Sequence, residues 1–233
     1  MRKNAFVGKF FIFGVISLLL GGCGVGSHQA RSVDIRNSPL VNPNIFKEGS
    51  GDQPLYRYVN PKVNIKQYRN LFIDPVLVQK DGELDKDELS DYQTLANNAY
   101  VYLHRELGKD YKVVNNSQPN TLRIQMAIID ADSAKPVRNT LSTIMPIGMA
   151  LSVVSYGATG NQSGVGEITV EMKITDANTG ELVGAALDRR VGGKQLTELW
   201  SSWHNADDAL QYWAKKLSFA LCGMRGDTNC VAP

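Results

Sequence analysis

The sequence predicts an α+β fold, with a mixed sheet of about five strands, two main helices on one face of it and an apolar helical insert. Three observations indicate this class. Apolar and polar side chains alternate along GEITVEMKITD, residues 166–176, which is typical of a strand with one buried face. Two segments, 87–108 and 205–223, repeat apolar residues at helical spacing. Between two predicted strands lies a stretch of 28 residues, 139–166, that carries no charge.

The first predicted strand and helix follow one another along the chain. Residues 70–79, NLFIDPVLVQ, form a nearly continuous apolar run, consistent with burial on both faces, and Pro75 predicts a bend. Residues 87–108 predict a helix, because acidic residues crowd its first turns and complement the helix dipole, and Gly108 can end it. The apolar positions of this helix are Leu89, Tyr92, Ala96, Ala99, Leu103 and Leu107.

The remaining elements are four strands and a second helix. Residues 111–114 and 121–132 predict strands, and the alternating strand at 166–176 is followed by the turn DANTGE, in which Gly180 can adopt positive φ. Residues 182–193 return as the partner strand of this hairpin. The second helix is predicted to begin at Asn205, a good N-cap residue. Its buried stripe would comprise Ala206, Leu210, Trp213, Leu217 and Leu221.

The uncharged segment 139–166 is longer than a connection between two strands requires. One interpretation is a short apolar helix from about Pro146 to Tyr156, packed against the domain. A second is contact with a lipid surface or another protein, since an exposed apolar patch marks an interaction site. A third is a membrane hairpin that forms on oligomerisation, although the alternation is poor for transmembrane strands. The candidate contact residues are Ile147, Met149, Leu151, Val154 and Tyr156.

Two tryptophans, Trp200 and Trp203, precede the second predicted helix. The simpler interpretation is that they cap the core. Because aromatic side chains are enriched in binding hot spots, they are also candidates for a partner-binding groove.

The amino terminus predicts a secretory signal peptide over residues 1–22. Basic residues precede an apolar segment, Phe10 to Leu20, which is too short for a membrane core that needs roughly 20 residues. The ending Leu20-Gly21-Gly22-Cys23 resembles the lipobox of bacterial lipoproteins. The resemblance implies cleavage before Cys23, acylation of that cysteine with chains such as palmitate, and stable anchoring. Gly24 in place of an aspartate favours the outer membrane.

This organisation predicts residues 23–53 as the lipidated cysteine and a flexible tether, and 54–233 as one periplasmic α+β domain. Cleavage would remove three of the 25 basic residues, leaving 22 against 23 acidic ones and a net charge of −1. A nearly neutral chain gives no support for nucleic-acid binding, which relies on clustered positive charge. The other two cysteines, Cys222 and Cys230, predict a disulfide in an oxidising compartment, with free thiols or a redox pair as the alternatives.

The residues predict neither a catalytic site nor a cofactor. The three histidines, His28, His104 and His204, have no second ligand at a metal-binding spacing, and no nucleophile or phosphate-binding motif is found. The turn at 176–181 lacks the remaining ligands of a calcium loop. In the predicted strand Asp188-Arg189-Arg190, one arginine is expected to pair with a carboxylate within the fold.

Three stretches carry a resemblance to a wider family. YRYVNP (56–61), YRNLFIDPV (68–76) and the hairpin 165–193 resemble a bacterial lipoprotein family catalogued as a domain of unknown function. More loosely, the order of elements is similar to the small envelope domain of the TolB amino-terminal type. The resemblance implies no catalytic residues. It favours a non-enzymatic binding or assembly factor with an envelope protein partner. The alternatives are a subunit of an envelope oligomer or secretion channel and, third, a cell-wall enzyme.

Overall fold

A computed structural model describes residues 28–30, 32–80, 86–129, 140–143, 167–191 and 202–233. Within them, the chain forms a single ten-stranded mixed sheet and two long helices, so the predicted α+β class is correct but the sheet is larger than five strands. The helices are α1, Lys86–Leu107, and α2, Ser202–Arg225. Neither has the length and apolar character needed to cross a bilayer. The predicted apolar helical insert lies outside the described residues.

Several of the ten strands are too short to show a periodic pattern in the sequence. Two-residue strands account for three of the ten. The strands are β1 His28–Gln29, β2 Lys47–Glu48, β3 Tyr56–Val59, β4 Asn70–Ile73, β5 Leu77–Lys80, β6 Lys112–Val113, β7 Thr121–Ile129, β8 Thr140–Thr143, β9 Glu167–Asp176 and β10 Leu182–Val191.

Seven strands follow one another across the sheet in the order β2-β3-β10-β9-β7-β4-β6. The long strands β10, β9 and β7 lie at its centre. The predicted hairpin is β9 and β10, paired antiparallel from Glu167↔Val191. The run 70–79 is split into β4 and β5 around Pro75, as the proline predicts, and both halves pair in parallel with β7. At the predicted turn, Gly180 has φ +74°, a conformation that a glycine adopts without steric cost.

The direction of the strands defines two ends of the sheet. Because β4, β7 and β10 run in one direction and β9 in the other, the residues Asn70, Thr121, Asp176 and Leu182 lie at one end, which we call the lower end. Ile129, Glu167 and Val191 lie at the opposite, upper end. Strand β1 is at the upper end, since His28 pairs with Val191.

The main core lies between the sheet and the helices. Side chains of α1 and α2 share one hydrophobic cluster with the even-numbered side chains of β9. Helix α2 begins at Ser202, so the prediction of Asn205 as its N-cap is wrong. The carboxylate of Asp207 accepts hydrogen bonds from Asn98 and Tyr102 of α1. The cluster comprises apolar residues from all the central strands and both helices, among them Leu71, Leu95, Leu122, Val170, Leu210 and Trp213.

Candidate functional site

Most of the predicted contact residues lie outside the part of the chain that the structure describes. Cys23, the residues between 147 and 156, and Trp200 are all in this group. Trp203 is in the first turn of α2, and its side chain is likewise not described. The lipid or partner contact predicted for these residues therefore stays a prediction.

One buried carboxylate joins three parts of the fold. Asp188 of β10 is 5% exposed and accepts hydrogen bonds from Gln29 Nε2 at 2.7 Å, Leu55 N at 3.1 Å and Trp213 Nε1 at 2.8 Å. These donors come from β1, from the residue before β3 and from α2. Because a buried carboxylate is tolerated only when it is hydrogen-bonded, Asp188 holds the amino-terminal segment and α2 to the same strand.

The two arginines that follow Asp188 point to opposite faces of the sheet. Arg189 forms an ion pair with Glu167 on the neighbouring strand β9, as the sequence predicted for one of the pair. Arg190 instead places its guanidinium 3.8 Å from the centre of the Tyr212 ring on α2. This cation–π contact adds a second link between β10 and α2.

A second buried carboxylate lies on the face of the sheet opposite the helices. Glu171 of β9 is fully buried and accepts hydrogen bonds from Ser38 Oγ at 2.8 Å, Val41 N at 3.1 Å and Leu40 N at 3.2 Å. Burial raises the pKa of Glu171 to about 6, although the three hydrogen bonds favour the ionised form. We call this arrangement, Glu171 with residues 38–41, the clasp.

The clasp and Asp188 attach a segment that the sequence indicated was a flexible tether. Strand β1 pairs with the end of β10, where Ala30 N donates to Arg189 O at 2.8 Å, and β2 pairs with β3. Four residues, 24–27, separate Cys23 from this first pairing. Among the described residues, pairing with the sheet thus reaches back to residue 28, well before the predicted domain start at 54. Two-residue strands have no period, so they leave little signal in the sequence.

A polar junction connects the two helices. Asn98 Nδ2 donates to Asp207 Oδ1 at 2.8 Å, and Tyr102 Oη donates to Asp207 Oδ2 at 2.6 Å. Burial and the carboxylate together hold the pKa of Tyr102 well above its usual range. A tyrosine held protonated in this way is suited to donating a hydrogen bond, so the junction fixes α1 against α2.

The carboxyl-terminal tail folds back along α2 and forms a groove of about 690 Å³. The predicted disulfide between Cys222 and Cys230 is present and closes the tail onto the helix. Arg225 bridges Asp110 at 3.0 Å and Asp227 at 2.7 Å, and its guanidinium lies 4.8 Å from the centre of the Tyr111 ring. The charged residues that line the groove are Glu106, Lys109, Asp110, Lys215, Arg225 and Asp227.

The charges of this groove are largely engaged with one another. Burial disfavours the ionised form of Glu106, but hydrogen bonds from Lys109 and Arg105 outweigh it and hold the pKa of Glu106 below its usual range. Within the described ranges, no three His, Cys, Asp or Glu side chains are grouped so that they could bind a metal ion. The carboxylates of Glu106, Asp110 and Asp227 that line the groove are thus each paired with a basic side chain.

These features define a class: an α+β domain with two helices on one face, an amino-terminal segment docked on the sheet and a disulfide-closed tail. A family model described as "Protein of unknown function (DUF3313)" matches residues 36–217. Because the match covers most of the chain, the protein belongs to this family. The match begins at residue 36, so part of the docked amino-terminal segment lies within the family domain. No curated protein matches the sequence.

The solved structures that resemble this chain include proteins from two bacteria. The PelC dodecamer from Paraburkholderia phytofirmans is 9% identical and aligns over 74% of this chain and 96% of its own, with a TM-score of 0.36, and its L103M variant gives 0.35. A DUF4136 family protein from Bacteroides thetaiotaomicron is 16% identical over 75% of this chain and 98% of its own, with a TM-score of 0.34. Similarity at this level carries no functional argument.

Proposed function

We propose that the protein is an outer-membrane-anchored periplasmic lipoprotein that acts as a non-enzymatic binding or assembly factor in the cell envelope. The proposal starts from the lipobox-like ending Leu20-Gly21-Gly22-Cys23. It is supported by the Cys222–Cys230 disulfide, because disulfides persist in the oxidising periplasm and are rare in the cytosol.

The observation that carries the proposal furthest is the position of β1. His28 is already paired with Val191 at the upper end of the sheet, five residues after Cys23. A fully extended chain covers at most about 3.5 Å per residue, so His28 lies within about 17 Å of the acylated residue. The anchor therefore holds the domain close to the lipid surface, with the upper end of the sheet nearest to it.

Such a short link suits a protein whose task depends on position. A domain fixed near the membrane presents the same surfaces outward, whereas a long flexible tether would let it rotate freely. Asp188 and the clasp fix residues 29 and 38–41 to the sheet, so movement at the anchor would be transmitted to the whole domain.

The anchor is tested by substituting Cys23 with serine in the full-length protein expressed in its host. Gly22→Ala is the matched control, since it keeps a small residue before the cysteine. We expect the wild-type protein and Gly22→Ala to incorporate labelled palmitate and to fractionate with the outer membrane. Cys23→Ser should take up no label. Palmitate in the Cys23→Ser protein, or its absence from the wild type, would contradict the proposal.

A further inference from the structure

The lower end of the sheet is crossed by the connection between β3 and β4, residues 60–69 (NPKVNIKQYR), which we call the strap. It starts beneath β10, where Asn60 N donates to Val183 O at 2.9 Å, and ends beneath β7, where Arg69 N donates to Asn120 O at 3.0 Å. The strap therefore spans the lower end of the four central strands.

Apolar anchors and local caps fix the backbone of the strap. Ile65 is 4% exposed and Tyr68 is 1% exposed, and Tyr68 Oη donates to Asp176 Oδ2 at 3.0 Å. The side chains of Asn60 and Asn64 accept hydrogen bonds from backbone N–H groups two residues further on. The strap thus presents its outward side chains from a defined backbone.

Three of the exposed side chains of the strap are basic. Lys62, Lys66 and Arg69 are exposed, and Lys112 is exposed beside Arg69, to whose carbonyl oxygen its N–H donates at 3.0 Å. The strap contains no Asp or Glu. Within the described ranges, none of these four basic side chains forms an ion pair with a carboxylate.

Four carboxylates near the strap each accept a hydrogen bond or form an ion pair. Arg225 engages two of them, and the other two accept hydrogen bonds from Asn60 and Tyr68. These carboxylates are Asp110, Asp227, Glu181 and Asp176. Lys62, Lys66 and Lys112 therefore have no carboxylate partner among the described residues and can bind anions from outside the chain. The guanidinium of Arg69 also donates from Nη1 to Lys66 O at 2.7 Å and to Tyr68 O at 3.2 Å.

The position of the strap decides which anions it can reach. β10 has ten residues, and at about 3.3 Å per residue its length places the strap about 30 Å from the upper end. The anchor is at the upper end, and electrostatic attraction is screened over about 8 Å at physiological ionic strength. In the orientation proposed above, with the upper end of the sheet towards the membrane, the anionic lipids of that membrane are out of range of the strap.

We propose that the strap is a docking surface for the carboxylates of peptidoglycan, a proposal that rests on the periplasmic location proposed above. Separate, exposed positive charges suit a polymer with repeating negative charges. A protein interface would more typically place apolar or aromatic anchors at its centre, but Ile65 and Tyr68 are buried and Val63 packs on the core.

The test is co-sedimentation of the full-length, detergent-solubilised protein with purified, protease-treated peptidoglycan sacculi at low and high salt. The strap variant is Lys62→Gln/Lys66→Gln. Its matched control is Lys47→Gln/Lys215→Gln, which removes the same charge from exposed positions elsewhere. We expect salt-sensitive binding that the strap variant weakens about tenfold and the control leaves within about twofold. Binding should also be lost when the carboxylates of the sacculi are converted to amides.

Several outcomes would overturn the proposal. The proposal fails if the wild-type protein does not bind, if the strap and control variants bind equally, or if binding survives amidation. It also fails if the protein binds sacculi only before protease treatment, because that result indicates binding to an attached acidic protein. Strap-dependent binding to vesicles of anionic lipid, with none to sacculi, would also overturn it. Palmitate labelling of the same preparation distinguishes the two proposals. Labelled protein that does not bind sacculi contradicts the strap proposal alone. Unlabelled protein that binds sacculi contradicts the anchor proposal alone.

Discussion

Trp213 Nε1 donates a 2.8 Å hydrogen bond to Asp188 Oδ2 and thereby connects α2 to β10 in the interior. Trp213 is 4% exposed and Asp188 is 5% exposed, so both the donor and the carboxylate are withdrawn from water. The other oxygen of the same carboxylate accepts from Gln29 and Leu55. The attachment of the amino-terminal segment and the packing of α2 therefore depend on one side chain.

Replacing Trp213 by phenylalanine should lower the free energy of unfolding by about 2–4 kcal/mol, because the donor is lost and the smaller ring leaves space in the core. Tyr212→Phe is the control, since it keeps the ring that contacts Arg190, and should change the stability by less than about 1 kcal/mol. Urea unfolding of both variants measures the difference. Equal stabilities would show that the Asp188 hydrogen bond does not hold α2 in place.

Glu171 should make stability depend on pH. Its pKa in the folded protein is about 6, above the ordinary value for a glutamate, so the folded state binds the proton more tightly than the unfolded state does. The stabilisation is fully present below about pH 4.5 and is lost as the pH rises through about 6. The difference between the folded and the ordinary pKa of Glu171 corresponds to about 2 kcal/mol of stability.

The Glu171→Gln variant isolates this effect, because it cannot titrate at that position. Relative to the variant, the wild-type protein should lose about 2 kcal/mol of stability between pH 4.5 and 6.5 and stay level outside that range. Urea unfolding at a series of pH values gives both curves. If the two curves run parallel across the range, the burial of an ionisable Glu171 is refuted.

Removing the disulfide with Cys222→Ser/Cys230→Ser should lower the free energy of unfolding by about 2.5 kcal/mol, the loop-closure value for so short a loop. The tail residues 226–233 should then become accessible to protease, because the disulfide of Cys230 is what holds the tail back along α2. Treating the wild type with a reductant is the chemical control and should reproduce the shift. A tail that stays resistant without the bond would show that the groove does not depend on it.

Two glycines provide a matched pair for the predicted hairpin turn. Gly180 has φ +74°, and a Cβ there would meet no atom within 4 Å, so Gly180→Ala tests conformation alone and should cost about 1 kcal/mol. Gly223 of α2 has equal space but no positive φ, so Gly223→Ala should stabilise the helix by up to about 1 kcal/mol. Thermal unfolding compares the two, and shifts of the same sign would contradict the turn.

The sequence allowed the long elements to be predicted because each has its own period or turn residue. The alternation from Ile168 to Ile174 specifies β9, and Gly180 marks the turn into β10. Alternation alone, however, could not distinguish the buried Glu171 from the exposed polar residues of a solvated face. The difference is made by Ser38, Leu40 and Val41, which are more than 120 positions earlier in the chain.

The docked segment was missed for a related reason. Strands β1 and β2 have two residues each and are held by backbone pairing. Gln29 of β1 also donates to Asp188, and residues 38–41 between the two strands donate to Glu171. Composition rich in Gly, Pro, Ser and Asn predicts a linker, and here the distant acceptors override it. The strap likewise shows no motif, because its basic residues gain their common direction only from the buried Ile65 and Tyr68.

The central claim is that the chain following Cys23 is fixed to the domain from residue 28 onwards. Hydrogen–deuterium exchange of the full-length lipoprotein in detergent tests it most directly, at the amides of Ala30, Leu40 and Val41. The account predicts slow exchange at all three, and faster exchange at Leu40 and Val41 in Glu171→Ala. Exchange at the rate of an unstructured peptide in the wild-type protein would contradict the account.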